Sequence, residues 1–135
     1  MRFLTLNGKI INKNYHKYLI DWNKEECSKF QTKVKKFLEP YLKYHIVYSE
    51  FLIPGTKMRI DIFDATTRIA YEISGKQHLE YTPFFHQNPA KYLSQIKRDF
   101  KKIKFCEINN IKLIEIYEKD ILSVEYFKEK FGLVF

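Results

Sequence analysis

Two cysteines in 135 residues, Cys27 and Cys106, are too few and too far apart for a disulfide framework or a C-x-x-C zinc pattern, so the chain reads as a reduced, intracellular protein. No apolar run approaches the roughly 20 residues needed to span a bilayer. The opening MRFLTLNGKI is too short and polar for a signal peptide. A cytoplasmic location with no membrane partner is the expectation. Repeats, low-complexity tracts and Gly/Ser linkers are missing, so residues 1–135 are expected to form one domain around one core. Negative charge is scarce: 16 Asp and Glu stand against 24 Lys and Arg, a net +8, which favours a polyanionic partner, nucleic acid before a membrane surface. What the chain has in quantity is apolar and aromatic side chains, 45% and 17% of residues, which exclude a disordered tail.

Ser28 and Gln31 form an S-x-x-Q capping box, and Phe30, Val34, Phe37, Leu38 and Tyr41 follow at helical spacing, predicting a helix from about Lys29 toward Pro40. Three strand-like runs come next, residues 45–53, 58–64 and 68–74, punctuated by PGTK and DATT turns: an antiparallel meander. Residues 75–90 read as a loop rich in aromatics and His. Beyond it Leu93, Ile96, Phe100 and Ile103 step by three and four, the pattern of a helix with a core stripe and a basic back of Lys97, Arg98, Lys101 and Lys104. Asn109 and Asn110 can end that helix, IKLIEIY reads as a fourth strand, and residues 120–131 as a last helix closed by Gly132. The order is α-β-β-β-α-β-α, an α/β layout with a central mixed sheet of about four strands. Residues 1–24 form an N-terminal extension whose KYLIDW resembles an extra strand or a packing arm.

Carboxylates on the strands are the chemical signal. In RIDIF, Arg59, Asp61 and Phe63 share one side of a strand, and in RIAYEIS, Ala70, Glu72 and Ser74 share one side of the next. Pairing Asp64 with Thr67 across the turn sets Asp61 opposite Ala70 and diagonal to Glu72, both acids on one face. Two adjacent carboxylates repel, and a divalent cation between them is the economical remedy; the alternative is a solvent-facing strand whose acids pair with Lys57, Arg59 or Arg68. Gly75 permits a sharp exit from the strand and delivers Lys76, Gln77 and His78 beside Glu72, where they can orient a water or stabilise a charged phosphoryl group. His86 and Lys102 are further candidates, Asp99 sits one turn before Lys102, and Glu50 is an acid in the preceding strand.

An Asp in one strand, a Glu eleven residues on in the next, then G-x-Q-H and a helix KRDFKKIKFCEINNIKLIEI together resemble the PD-(D/E)XK nuclease superfamily, in the compact branch around very-short-patch repair endonucleases and phage-type homing endonucleases. The resemblance covers residues 28–117 as the nuclease core, with 118–135 as a C-terminal helix. It implies a restriction-endonuclease-like core in a protein of phage or mobile-element type. Asp61 and Glu72 match the family's metal-binding acids, Gln77 and His78 the loop Gln-His of this branch, and Asp99 and Lys102 its helix D-x-x-K. Ser74 stands where an E-x-K motif has its lysine, so Lys76, Gln77, His78 or Lys102 must replace it. Gln31 stands about where many members carry a glutamate, which leaves Glu50 to supply that acid.

The implied activity is Mg²⁺-dependent hydrolysis of DNA phosphodiesters, with Mn²⁺ able to substitute. Asp61, Glu72 and the carbonyl of Ile73 would hold the metal, and Lys57, Arg59, Lys76, His86, Lys97, Arg98 and Lys101 would contact DNA. Nicking, homing, mismatch-repair and junction-resolving substrates all stay open, a double-strand cutter requiring a homodimer. The alternatives are a DNA-binding module that keeps the fold without cleavage and an interaction domain whose lysines are compositional. Tyr81, Phe84 and Phe85 are candidates to stack on bases.

Overall fold

The fold is that of a computed structural model, which describes residues 1–74 and 89–135. Ser28 starts the first helix: its hydroxyl accepts the Gln31 N–H at 3.0 Å. Helix α1 then runs Lys29–Leu42 and buries Val34, Leu38 and Leu42. It passes through Pro40, because a proline in the last turn forfeits one N–H while Leu42 beyond it gains full burial. Strands β3 (Val47–Leu52), β4 (Arg59–Asp64) and β5 (Ile69–Ser74) form the meander, and helix α2 (Pro89–Ile108) crosses over to β6 (Lys112–Tyr117), which lies parallel to β5. The four-stranded mixed sheet therefore has the order β3-β4-β5-β6. The last helix, α3, is Val124–Phe131, starting four residues later than periodicity suggests because Asp120 holds a turn by accepting the Tyr117 N–H. Gly132 ends it in the left-handed region.

Successive strand residues point to opposite faces, and each face has its own core. On one, Ile62, Tyr71, Ile73, Ile114 and Ile116 pack against α1 and Phe127 of α3. On the other, Tyr48, Phe51, Phe63 and Ala70 pack with Phe105 and Cys106 of α2 and with Phe3 and Tyr15 from the N-terminal segment. That segment is a packing arm: strands β1 (Arg2–Leu4) and β2 (Ile10–Asn12) form a separate hairpin, and Leu19 makes a single bridge to Tyr48 on the edge of the sheet.

Asn109 locks the hairpin in place. Its side-chain oxygen accepts the Leu4 N–H at 2.8 Å, and its amide nitrogen donates to the Leu4 and Phe105 carbonyls, both at 2.9 Å. We expect Asn109→Ala to cost roughly 2–3 kcal/mol, because it orphans buried backbone groups at both ends. Chemical denaturation measures the loss, and proteolysis should now cut within residues 1–15 before the rest unfolds.

Two sequence expectations are corrected. The β4–β5 register pairs Ile62 with Tyr71, Phe63 with Ala70 and Asp64 with Ile69, two residues away from the one expected. Asp64 accepts N–H bonds from Thr66 and Thr67 and a hydroxyl bond from Thr67, so residues 65–68 all belong to the turn, with Arg68 at φ +57°. A slip of two does not by itself change facing, so Ile62 and Phe63 still lie on opposite faces, but Ile60 joins the core of Phe63 instead of that of Ile62. The second correction concerns α2. Leu93, Ile96, Phe100 and Ile103 are exposed, Phe100 by 66%, and the inward side is occupied by Phe105 and Cys106, with Lys102 beside them. The sheet beneath carries the acids, so a lysine rather than a leucine is what the helix turns toward it.

Candidate active site

Continuing the β4–β5 register by one row puts Asp61 directly opposite Glu72. Glu50 occupies the same row of β3, between the pairs Ser49–Ile62 and Phe51–Ile60, and Glu72 pairs with Glu115 on β6. A row of four acids, one from each strand, thus crosses the sheet. Regular pleating fails at this row: Tyr48 and Phe51 join the same core, as do Ile60 and Phe63, although each pair is three residues apart. Glu50 is the cause, a non-glycine residue with φ +51° inside a strand. Its carbonyl is taken by the Arg59 guanidinium at 3.0 Å. Arg59, expected to contact DNA, here braces the distorted row.

The Asp61 and Glu72 carboxyls lie close enough to perturb one another's ionisation. One Asp61 oxygen also accepts the Ile73 N–H at 2.8 Å, and Lys102 of α2 donates to Glu72 at 3.2 Å. Burial pushes the Glu72 carboxyl up to about 8, helped by the Asp61 charge and opposed by Lys102. Asp61 is raised as well, chiefly by burial, against the lowering effect of the Ile73 N–H and Lys102. Glu50 is raised by burial and then by the charges of Asp61 and Glu26. The pair therefore holds a proton that isolated carboxylates would release. Cys106 lies close enough to feel Glu72 and Lys102, but burial above all pushes its thiol up to about 12, which makes it a core side chain rather than a nucleophile.

A pocket of about 10 Å³, the space of about one water, opens beside the pair between Gln31, Glu26, Glu50 and Asp61. Gln31 reaches it from the first turn of α1. Glu26 is the residue that sequence reasoning missed. Buried Lys35 fixes it, with Nζ 3.0 Å from a Glu26 oxygen and 2.7 Å from the Lys24 carbonyl. The signal was present: Lys35 falls within the buried stripe of α1, and a buried lysine demands a carboxylate.

The other expected site residues fall in several places. Lys57, Arg98 and Lys101 line one broad cleft of about 740 Å³ with Thr5, Leu6 and Asn7 of the N-terminal hairpin. Lys97 is exposed on α2. Asp99 is half-buried, one turn from Lys102, and its charge is felt at the Tyr117 hydroxyl. Lys76, Gln77, His78 and His86, together with Tyr81, Phe84 and Phe85, lie outside the described residues.

The donor set suits a hard cation that keeps most of its water: two adjacent carboxylates, in line with Mg²⁺ taking one or two. Among the described residues, no group of three or more His, Cys, Asp or Glu side chains is disposed to enclose a metal. No helix among them is long and apolar enough to cross a membrane.

Comparison with known proteins finds relatives in viruses. The chain is 32% identical over 94 residues to uncharacterized protein 033L of Invertebrate iridescent virus 3, covering 66% of this chain and 48% of that protein. It is 35% identical over 75 residues to uncharacterized protein 307L of Invertebrate iridescent virus 6, covering 54% and 38%. With uncharacterized protein 094L of Frog virus 3 (isolate Goorha) it shares 35% over 63 residues, covering 46% and 41%. The chain thus spans half or less of the length of these relatives. No family model and no solved structure matches it.

Proposed function

We propose that this chain is a Mg²⁺-dependent DNA endonuclease of the PD-(D/E)XK type, hydrolysing phosphodiester bonds in a nicking, homing or repair role, with Mn²⁺ able to replace Mg²⁺. The observation that carries this reading is the Asp61–Glu72 pair, two largely buried carboxyls on neighbouring strands, with a lysine delivered to them from α2. A cation held by Asp61, Glu72 and the Ile73 carbonyl would supply Lewis-acid neutralisation of charge at the phosphate. The Ile73 N–H fixes one Asp61 oxygen and so aims the other. Lys102, whose ammonium donates to Glu72 from α2, would stand in for the E-x-K lysine by stabilising a phosphate oxygen beside the pair. Glu50, with its raised proton affinity, is suited to accept a proton from the attacking water. Gln77 and His78 would position that water, and Lys57, Lys97, Arg98 and Lys101 would hold neighbouring phosphates. Cutting both strands would call for a homodimer.

Supercoiled plasmid incubated with Mg²⁺ should become nicked or linear, and EDTA should prevent it. Plasmid, mismatched duplex and four-way junction all left intact would overturn the reading. One observation favours a second: Ser74 is buried where the orthodox lysine would stand, which suits a DNA-binding module without cleavage. Lys102→Ala distinguishes the two. It should reduce cleavage by roughly 10²–10³-fold, on the scale of losing one electrostatic donor, with partial rescue by Lys102→Arg, while DNA binding in EDTA changes little.

A further inference from the structure

We infer that the surface on both sides of the Pro54–Gly55 turn is a track for the sugar-phosphate backbone of DNA, with the N-terminal segment as its outer wall. The inference deepens the nuclease reading by assigning the part of the substrate that lies beyond the cut. On one side of the turn is the 740 Å³ cleft, where Lys57, Arg98 and Lys101 face Thr5 and Asn7. On the other is a pocket of about 170 Å³, lined by Lys13, Asn14, Tyr15 and Lys17. Pro54 and Gly55 line both, so the two hollows adjoin across a turn whose Gly55, at φ +79°, presents bare backbone.

Among the described residues, five cations and no carboxylate line these hollows. They are divided between two depressions, an arrangement for a chain of phosphates spaced along a strand rather than for one anion. The neutral lining groups, Thr5, Asn7, Asn14 and Thr56, are of the types that hydrogen-bond phosphate oxygens without reading bases. Tyr15 lines the pocket although it is 5% exposed. Its hydroxyl, buried and without a hydrogen-bond partner among the described residues, lies behind that lining rather than in reach of a bound phosphate.

Helix α2 joins the track to the acids. Lys101 lines the cleft while its neighbour Lys102 donates to Glu72, so one turn of helix serves both places. A strand lying in the cleft therefore continues toward the carboxylate pair. The N-terminal extension contributes Thr5, Leu6 and Asn7 to the cleft lining and is tied to the end of α2 by Asn109.

The test is fluorescence anisotropy of a labelled 20-base-pair DNA duplex and of its single strand, in EDTA, across a range of salt. Three variants are compared with the wild type: Lys57→Ala/Arg98→Ala/Lys101→Ala in the cleft, Lys13→Ala/Lys17→Ala in the pocket, and Lys33→Ala/Lys36→Ala/Lys128→Ala on α1 and α3 as a charge-matched control. On duplex the cleft variant should lower the slope of log K against log salt by about 0.9 for each phosphate no longer neutralised, roughly 2–3 in all. The pocket variant should lower it by roughly 1–2, and the control should leave it nearly unchanged. Equal losses in control and track variants would overturn the inference, as would binding to phosphatidylserine vesicles in place of DNA. As a second measurement, Asn7→Cys in a Cys27→Ser background, carrying a photo-crosslinker, should attach to the duplex; failure to crosslink would remove the N-terminal wall. Because these readouts need no metal, the two readings fail separately. Intact plasmid with track-dependent binding ends the nuclease reading alone, and cleavage indifferent to the track variants ends the track alone.

Discussion

Glu72→Gln should abolish metal-dependent cleavage and at the same time make the metal-free protein more stable at alkaline pH. The Glu72 carboxyl ionises near 4.5 in the unfolded chain and near 8 in the fold, raised by burial and by Asp61. Between those values the folded state holds a proton that the unfolded state has released, so stability falls as pH rises through the window. Below about 4.5 both states are protonated, and the penalty vanishes. Replacing the acid with an amide removes the penalty while keeping an oxygen for Lys102. The expected gain at pH 9 is about 2–4 kcal/mol, allowing for the interaction with Asp61. Thermal unfolding in EDTA at pH 5 and pH 9 measures it: the wild type should lose stability on going to pH 9, and the variant should not. A wild-type stability flat over this range would show that the two carboxylates do not compete for a proton. Cleavage by the variant should drop at least about 10³-fold, the equivalent of roughly 4 kcal/mol of charge stabilisation. Under the proposed function, the same competition would make divalent-cation binding at this pair strengthen with pH and release a proton.

Asp120→Ala should produce the largest loss of stability. The Asp120 side chain is fully buried, and its carboxylate accepts from the Lys130 ammonium, from the Tyr126 hydroxyl at 2.6 Å and from the Tyr117 N–H at 2.8 Å. Burial pushes this carboxyl up, but the three donors together outweigh it and hold it below the ordinary value. The stabilisation is thus present above about pH 4 and lost as pH falls through the lowered value. Removing the carboxylate strands these donors and loosens α3, whose Phe127 fills the core against Phe37 of α1. A cost of about 3–5 kcal/mol is expected, against a total of about 5–15 for a domain, and a fall in Tm of roughly 10–15 °C. Asp120→Asn, which keeps the shape, should recover only part of it. A loss under about 1 kcal/mol would mean that α3 is held by its apolar contacts alone.

Much of the architecture was legible because strand alternation and turn residues act locally. The Ser28 cap, the four sheet strands and Gly132 could all be read residue by residue. What was hidden depended on partners distant in sequence. The β4–β5 register turned on Asp64, whose side chain takes over the hydrogen bonds of a turn that its neighbours alone would have made two residues tighter. In α2 the 3-4-3 spacing of Leu93, Ile96, Phe100 and Ile103 marks a helix but not which side meets the sheet. Asp61 and Glu72 were readable as partners on one face because even a two-residue slip preserves facing, whereas Glu26 enters only through the buried Lys35. The N-terminal hairpin did leave a signal, the Asn7–Gly8 dipeptide between short apolar runs, with Gly8 at φ +87°.

The bond between Leu4 and Asn109 spans 105 residues, and that separation fixes an order of events on the ribosome. Residues 1–12 emerge well before α2, yet the amide that receives Leu4 is made only after that helix is complete. Until then Phe3 has no Phe105 to cover it. β5 likewise waits for β6 across the α2 crossover, a long-range closure of the kind that slows folding. Between the synthesis of β5 and that of β6 the nascent chain therefore carries an uncovered aromatic cluster and an unpaired β5 edge, a period in which chaperone contact and aggregation compete for the same surface.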